Sequence, residues 1–188
     1  MPVSDNGKLR VYIPATIPML RRLVDEREVF PLGATAFAVT PALREAYAAG
    51  DDDELAEVAM QEAARASLRL LAADRDGLDD DAPAADTDAT PGSPVYRRAV
   101  IAADVTGAKL RPDLDDAVVK LAGPITYDQV ASVHVDLAEA EPQVAKAVDV
   151  IDAADLGDTD AEFVLGDAED HQLAWYATQE LPFLLDLL

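Results

Sequence analysis

The sequence predicts an α+β fold: a single mixed sheet with helices packed mainly on one face, and a ferredoxin-like arrangement as the candidate topology. Three observations point there. Leu9–Pro14 and Ser132–Leu137 alternate with the period of a half-buried strand, while Ala99-Val-Ile-Ala-Ala103 is apolar throughout, as a strand covered on both faces would be. Residues 53–73 repeat apolar positions with the period of a helix. A strand–helix–strand unit is read near residues 117–137. All 188 residues are assigned to one domain, interrupted by a mobile acidic insert over residues 74–94.

In chain order, Val11 and Ile13 share one face of the first strand. Thr16 stands at a helix N-cap, with Pro18 tolerated in the first turn and Leu20, Leu23 and Val24 forming the apolar side. Pro31-Leu32-Gly33 reads as a turn, and Ala34–Val39 as a second strand. Thr40-Pro41 starts a short helix that Gly50 stops. Asp51, Asp52, Asp53 and Glu54 then place negative charge at the positive end of the next helix, Asp53–Ala73. Its expected buried side is Leu55, Ala59, Ala63, Ala66 and Leu70, widened by Met60 and Leu71, with Val58 and Leu68 as exceptions.

Residues 74–94 hold seven Asp and three Pro with almost nothing to bury, so burial cannot offset the entropy of ordering them. Val95–Val105 is the next strand and Ala117–Ile125 another. Thr126 and Gln129 have the spacing of a capping box over a short helix. Beyond the Ser132–Leu137 strand, Pro142–Ala154 is helical with Val144, Val148 and Ile151 aligned. Glu162–Leu165 is expected as a short edge strand, and Asp167–Leu181 as a helix ended or kinked by Pro182.

Aromatic residues make up 5% of the chain, so the core has to come from Ala, Val, Leu and Ile. The net charge of −22 arises from 37 acids against 15 bases, which argues against a general binder of nucleic acid or of anionic membranes. With no cysteine there is no disulfide framework, thiolate nucleophile or Cys-ligated metal. No apolar run approaches the length of a membrane span, and the first ten residues lack an apolar signal core, so a cytoplasmic protein is expected. The acidity is uneven: residues 113–188 carry 18 acids and only Lys120 and Lys146 as bases. Such acidity can be a solubilising habit alone; where it is functional, that half is the expected contact side for a partner protein with a basic surface.

Four stretches together resemble an uncharacterised family of actinobacterial proteins, a domain of unknown function. They are Arg10-Val-Tyr-Ile-Pro-Ala-Thr16, Ala36-Phe-Ala-Val-Thr-Pro-Ala-Leu-Arg44, Ala64-Arg-Ala-Ser-Leu-Arg-Leu-Leu71 and Ala168-Glu-Asp-His-Gln-Leu-Ala-Trp-Tyr-Ala-Thr-Gln-Glu-Leu-Pro182. The resemblance spans nearly the whole chain except the acidic insert. It implies a small cytosolic protein of high-GC bacteria and carries over no activity and no site.

No Gly-rich phosphate loop, nucleophile elbow or His-Glu-x-x-His motif is present. Asp104 and Asp136 each end an expected strand. Were those strands neighbours, both acids with His134 and His171 could form an oxygen-rich divalent-metal or acid–base site. Strand-ending Asp residues also serve turns and caps, and in a chain with 26 Asp such coincidences are expected. Two histidines and no cysteine make a tight transition-metal site hard to build, so no metal and no cofactor is expected. Trp175, Tyr176 and Glu180, with His171 one turn before Trp175, fit either an amphipathic terminal helix whose aromatics complete the core or a polar and aromatic partner-binding helix face. Asp152, Asp155, Asp158 and Asp160 are the expected acidic rim of that contact. The apolar end Leu181-Pro-Phe-Leu-Leu-Asp-Leu-Leu188 is expected to dock on its own sheet.

The leading functional expectation is therefore a non-enzymatic cytosolic protein acting through protein–protein contacts. The alternatives are a carboxylate- or metal-dependent hydrolase built on Asp104, Asp136 and His134 or His171, and an acidic DNA mimic. No direct nucleic-acid or membrane contact is expected.

Overall fold

Two apolar strands, β2 (Lys8–Ala15) and β5 (Ala99–Val105), pair antiparallel from Leu9 opposite Val105 to Ala15 opposite Ala99 and form the centre of the sheet. A computed structural model describes residues 3–4, 7–80 and 95–188. The other strands are β1 (Val3–Ser4), β3 (Glu28–Val29), β4 (Thr35–Phe37), β6 (Lys109–Leu110), β7 (Val118–Lys120), β8 (Ile125–Thr126), β9 (Val130–Val135) and β10 (Ala174–Ala177). The helices are α1 (Ile17–Glu26), α2 (Pro41–Ala46), α3 (Asp52–Asp80), α4 (Glu141–Asp155), α5 (Thr159–Glu169) and α6 (Leu181–Asp186). The main sheet runs β10-β9-β5-β2-β4-β7-β6, with β1 also pairing β2, and β3 and β8 form a separate ribbon.

The α+β class is as expected, with two differences in detail. All described strand pairs are antiparallel, where a mixed sheet is expected. In a ferredoxin-like sheet each helix joins two strands that run the same way, with a third between them. Here β2 and β4 flank α1 yet lie side by side and antiparallel. The expected unit near 117–137 is present in part: β7 and β9 both lie in the main sheet with a short helical turn at Tyr127–Gln129 between them, but the expected first strand breaks after Lys120 and its end, β8, pairs β3.

Strand alternation assigns the two faces. Val11, Ile13, Ala99, Ile101, Ala103, Val133 and Val135 point to one side, where Ile17, Leu20 and Leu23 of α1 and Leu181, Leu184 and Leu185 of α6 cover them. The apolar chain end thus docks on its own sheet, as expected. Phe37, Val100 and Val118 point to the other side, under Leu55, Ala59, Ala63 and Ala64 of α3. Helices therefore cover both faces. The larger helical mass lies on the α3 side, because Leu68, Leu71 and Ala72 of the same helix pack against α4 and α5. Alanines on α3 let its axis approach the sheet. Ser67 joins the layers, donating to the Ala15 carbonyl at 2.7 Å and accepting from the Ala99 N–H at 3.1 Å.

The buried stripe of α3 is rotated from the expected one: Leu68 is fully buried, while Ala66 and Leu70 are only half-buried. The helix faces a sheet with its first half and a helix pair with its second, so no single stripe serves both. It also continues to Asp80, past the expected boundary at Ala73, and Arg75 in this added stretch pairs with Asp149 of α4. The rest of the expected insert, residues 81–94, lies outside the described residues.

Two expectations near the chain end are overturned. Glu162–Leu165 is helical rather than an edge strand. Asp158 caps α5 by accepting from the Ala161 N–H at 2.9 Å, and Ala161, Leu165 and Ala168 bury one face against α4. Gly157, at φ +92°, makes the reversal between these helices. Asp167–Leu181 is not one helix: α5 ends at Glu169, residues 174–177 add β10 to the edge of β9, and Pro182 opens α6 instead of ending a helix.

Candidate functional site

The register of β5 and β9 decides what the candidate residues can do together. Val135 lies opposite Ala99, which brings Asp136 to Arg98, the residue before β5. Asp104 is six residues further along β5, roughly 20 Å away at about 3.3 Å per residue, and faces Arg10 of β2 instead. The two acids therefore end antiparallel strands at opposite ends of the sheet and form no common site. Asp104 accepts from Arg10 Nε at 2.6 Å and Nη2 at 3.0 Å, and this pairing holds its carboxyl below the usual range.

Asp136 is fully buried and Arg98 is 3% exposed. Arg98 Nε and Nη2 each reach the carboxylate at 2.8 Å, the Arg98 backbone N–H donates to it as well, and Nη2 also donates to the His171 carbonyl at 2.7 Å. The pair thus locks the start of β5 to the end of β9 and to the loop between α5 and β10. The arrangement is a planar two-bond fork of the kind only arginine supplies.

Above this pair lies a cavity of about 340 Å³. Glu57, Met60, Gln61 and Ala64 of α3 form one wall and residues 169–173 the other, with Arg98 and His134 between them. His134 and His171, expected to work together, do line the same pocket. His134 is half-buried, and its Nε2 lies 3.0 Å from Ser132 Oγ two residues earlier on the same strand face. Loss of solvation, with Arg10 adding a smaller repulsion, holds the imidazole below the usual histidine range. The exposed carboxylates Glu57, Glu169 and Asp170 surround the mouth. Among the described residues no cluster of His, Asp and Glu has the geometry of a metal site.

The expected partner face divides as well. Trp175 lies opposite His134 on the edge strand and is 61% exposed. Paired with His134, it shares that residue's sheet face, next to the pocket but not among the residues that line it. Tyr176 points through the sheet to the α1–α6 side and packs on that core. Glu180 accepts from the Ala177 N–H at 2.8 Å, closing the turn after β10. All four of the quartet are exposed, but Asp155 is held by Arg69 at 2.7 Å and more loosely by Arg65, and Asp158 is the α5 cap, which leaves Asp152 and Asp160 as the members with no ion pair or cap role among the described residues.

Sequence reasoning missed Arg98, Glu57, Glu169 and Asp170. Only Arg98 carried a signal, as a charge directly before the most buried strand, where a partner is obligatory. The others meet through tertiary packing of α3 on the α5–β10 loop.

No helix among the described residues is long and apolar enough to cross a membrane. No curated protein and no solved structure matches the chain. A family model does match it over residues 9–185, which takes in both walls of the pocket, its Arg98–Asp136 floor and the β10 edge. The chain belongs to the family of unknown function DUF6912.

Proposed function

We propose that this is a non-enzymatic cytoplasmic protein of an actinobacterium, acting through protein–protein contacts, and that it offers the β10 edge, Trp175 and the acidic pocket mouth to a partner with a basic surface. The observation that carries the reading is Trp175, a large aromatic 61% exposed on an edge strand beside a concave acidic surface. Burying such a ring is a common anchor of protein interfaces, and an edge strand offers unpaired backbone groups to an added strand. Glu57 and Asp170, which hold no ion pair among the described residues, favour a cationic partner and raise its encounter rate, while Glu169 lies 3.9 Å from Arg65 Nη1. The resemblance of the four sequence stretches supports the cytoplasmic, actinobacterial setting.

The alternatives draw less support. A carboxylate-dependent hydrolase needs its acids together, whereas Asp104 and Asp136 are separated by most of the length of β5 and each is engaged by an arginine. A DNA mimic needs unengaged acids along one face, whereas Asp104, Asp149, Asp155 and Glu162 all pair with arginines of this chain. The test is affinity capture from native lysate at low and high salt, with wild type beside Trp175→Ala. A partner retained at low salt, lost at high salt and lost with the variant is expected. Capture that is indifferent to both would overturn the reading.

A further inference from the structure

We infer that the pocket beside β10 receives a basic side chain of the docked segment, and that Arg98 Nη1 binds a carbonyl oxygen next to it. The inference rests on the proposed partner contact and names what that partner must carry. Arg98 is almost wholly buried and lines the pocket. Its Nε and Nη2 are engaged by Asp136 and the His171 carbonyl, while Nη1 has no hydrogen-bond partner among the described residues. Nor is that nitrogen sealed in: the one fully enclosed side-chain nitrogen or oxygen without a partner among the described residues belongs to Arg44. Nη1, on a side chain that lines the cavity, is therefore an unused donor with some access to solvent.

Asp136 already balances the arginine charge, so the floor offers a hydrogen bond with little net positive field. Glu57 and Asp170, the mouth carboxylates with no ion pair among the described residues, repel an anion. A neutral carbonyl below and a cation above is the ligand chemistry that fits both, and a lysine or arginine residue within a peptide supplies it. Trp175, exposed opposite His134 on the same sheet face, offers an aromatic surface to the backbone or side chains that flank the lysine or arginine. A cavity of about 340 Å³ holds one long side chain with part of the backbone that bears it.

Trp175 is the only tryptophan in the chain, so its emission reports changes beside its strand partner His134, a pocket residue. The full chain is titrated with N-acetyl-lysine methylamide, with its norleucine and glutamate counterparts, and with n-butylamine, which has the ammonium but no carbonyl. Trp175 emission and the His134 ring signals are followed. The lysine compound is expected to bind at least about tenfold more tightly than the other three. Glu57→Gln with Asp170→Asn, two exposed side chains that hold no hydrogen bond among the described residues, is expected to weaken it about tenfold without altering the near-ultraviolet circular dichroism. An equal response to the norleucine or glutamate compound, or indifference to the double variant, overturns the inference. Butylamine binding as tightly as the lysine compound removes the role of Arg98 and overturns it too. If capture yields a salt- and Trp175-dependent partner while this series fails, the contact reading stands and the pocket inference falls. If the series succeeds and capture fails, the reverse holds.

Discussion

Arg98 and Asp136 meet across the antiparallel strands β5 and β9, and neither side chain reaches the protein surface beyond the one guanidinium nitrogen at the pocket floor. A buried pair of this kind contributes little net stability compared with a well-packed apolar pair, but removing one partner strands a charge. Asp136→Asn is therefore expected to lower unfolding free energy by about 3–5 kcal/mol, read by urea denaturation. A double replacement, Arg98→Met with Asp136→Leu, is expected to recover most of that loss. It also frees the loop at His171, which hydrogen exchange would register as faster exchange over residues 170–173. A single variant that unfolds at the wild-type midpoint would show that the pair is not closed in solution.

Ser67 satisfies two buried backbone groups at once, the Ala15 carbonyl and the Ala99 N–H. Ser67→Ala fills the same space but leaves both unpaired, at an expected cost of about 1–3 kcal/mol. Thermal and urea unfolding measure it. A loss no larger than that of an exposed serine on the same helix would mean that water takes over both bonds.

The four aspartates expected as an acidic rim should behave as two unlike pairs. Asp152→Asn and Asp160→Asn are expected to change stability by no more than about 0.5 kcal/mol. Asp158→Ala removes the α5 cap and should cost about 1 kcal/mol. The hydrogen bond from Arg69, reinforced by its charge and that of Arg65, holds the Asp155 carboxyl below its usual value. Its folded form thus releases the proton more readily than the unfolded chain. The stabilisation is present above the unfolded value, near pH 4, and is lost as pH falls through the lower folded value. Acid unfolding below about pH 4 should be shallower in Arg69→Gln, and an unchanged acid limb would contradict the pairing. Neutralising all four together would confound a surface effect with loss of structure.

His134 gives the opposite end of the pH profile. Burial lowers its proton affinity, so between the folded and the unfolded midpoints the unfolded chain binds more protons. That contribution is fully present above the unfolded histidine value, about 6.5, and declines as pH falls through the window beneath it. The NMR titration midpoint of the His134 ring is expected below that of an exposed histidine. A midpoint at or above it would mean that the ring is solvated or faces a carboxylate.

Where one face or one cap decides an element, the residues announce it. Thr40 before Pro41 accepts from the Leu43 N–H as its spacing predicts, and Gln129 accepts from the Thr126 N–H. β2, β5 and β9 follow from their apolar patterns. The stretch after Asp158 reads wrongly because its signals are shared. Phe163-Val-Leu looks like a strand until the i, i+4, i+7 series of Ala161, Leu165 and Ala168 is placed against α4. Ala174–Ala177 has no strand pattern of its own and is extended because β9 offers it an edge. The site was legible only in part: the histidines and Trp175 stand out by rarity, whereas Asp104 and Asp136 looked alike in sequence and are distinguished only by register.

The length of α3 has a thermodynamic consequence. At 29 residues it extends roughly 44 Å at 1.5 Å per residue. It supplies side chains to the core under the sheet from one end and to the α4–α5 core from the other. Those two cores would otherwise be separable cooperative units, each free to open alone. A continuous helix makes them share one backbone, so melting the α4–α5 layer exposes Leu68, Leu71 and Ala72 on the same rod that clamps β2 and β5. The loss of either core is thereby transmitted to the other, and the chain is expected to denature as one unit rather than two.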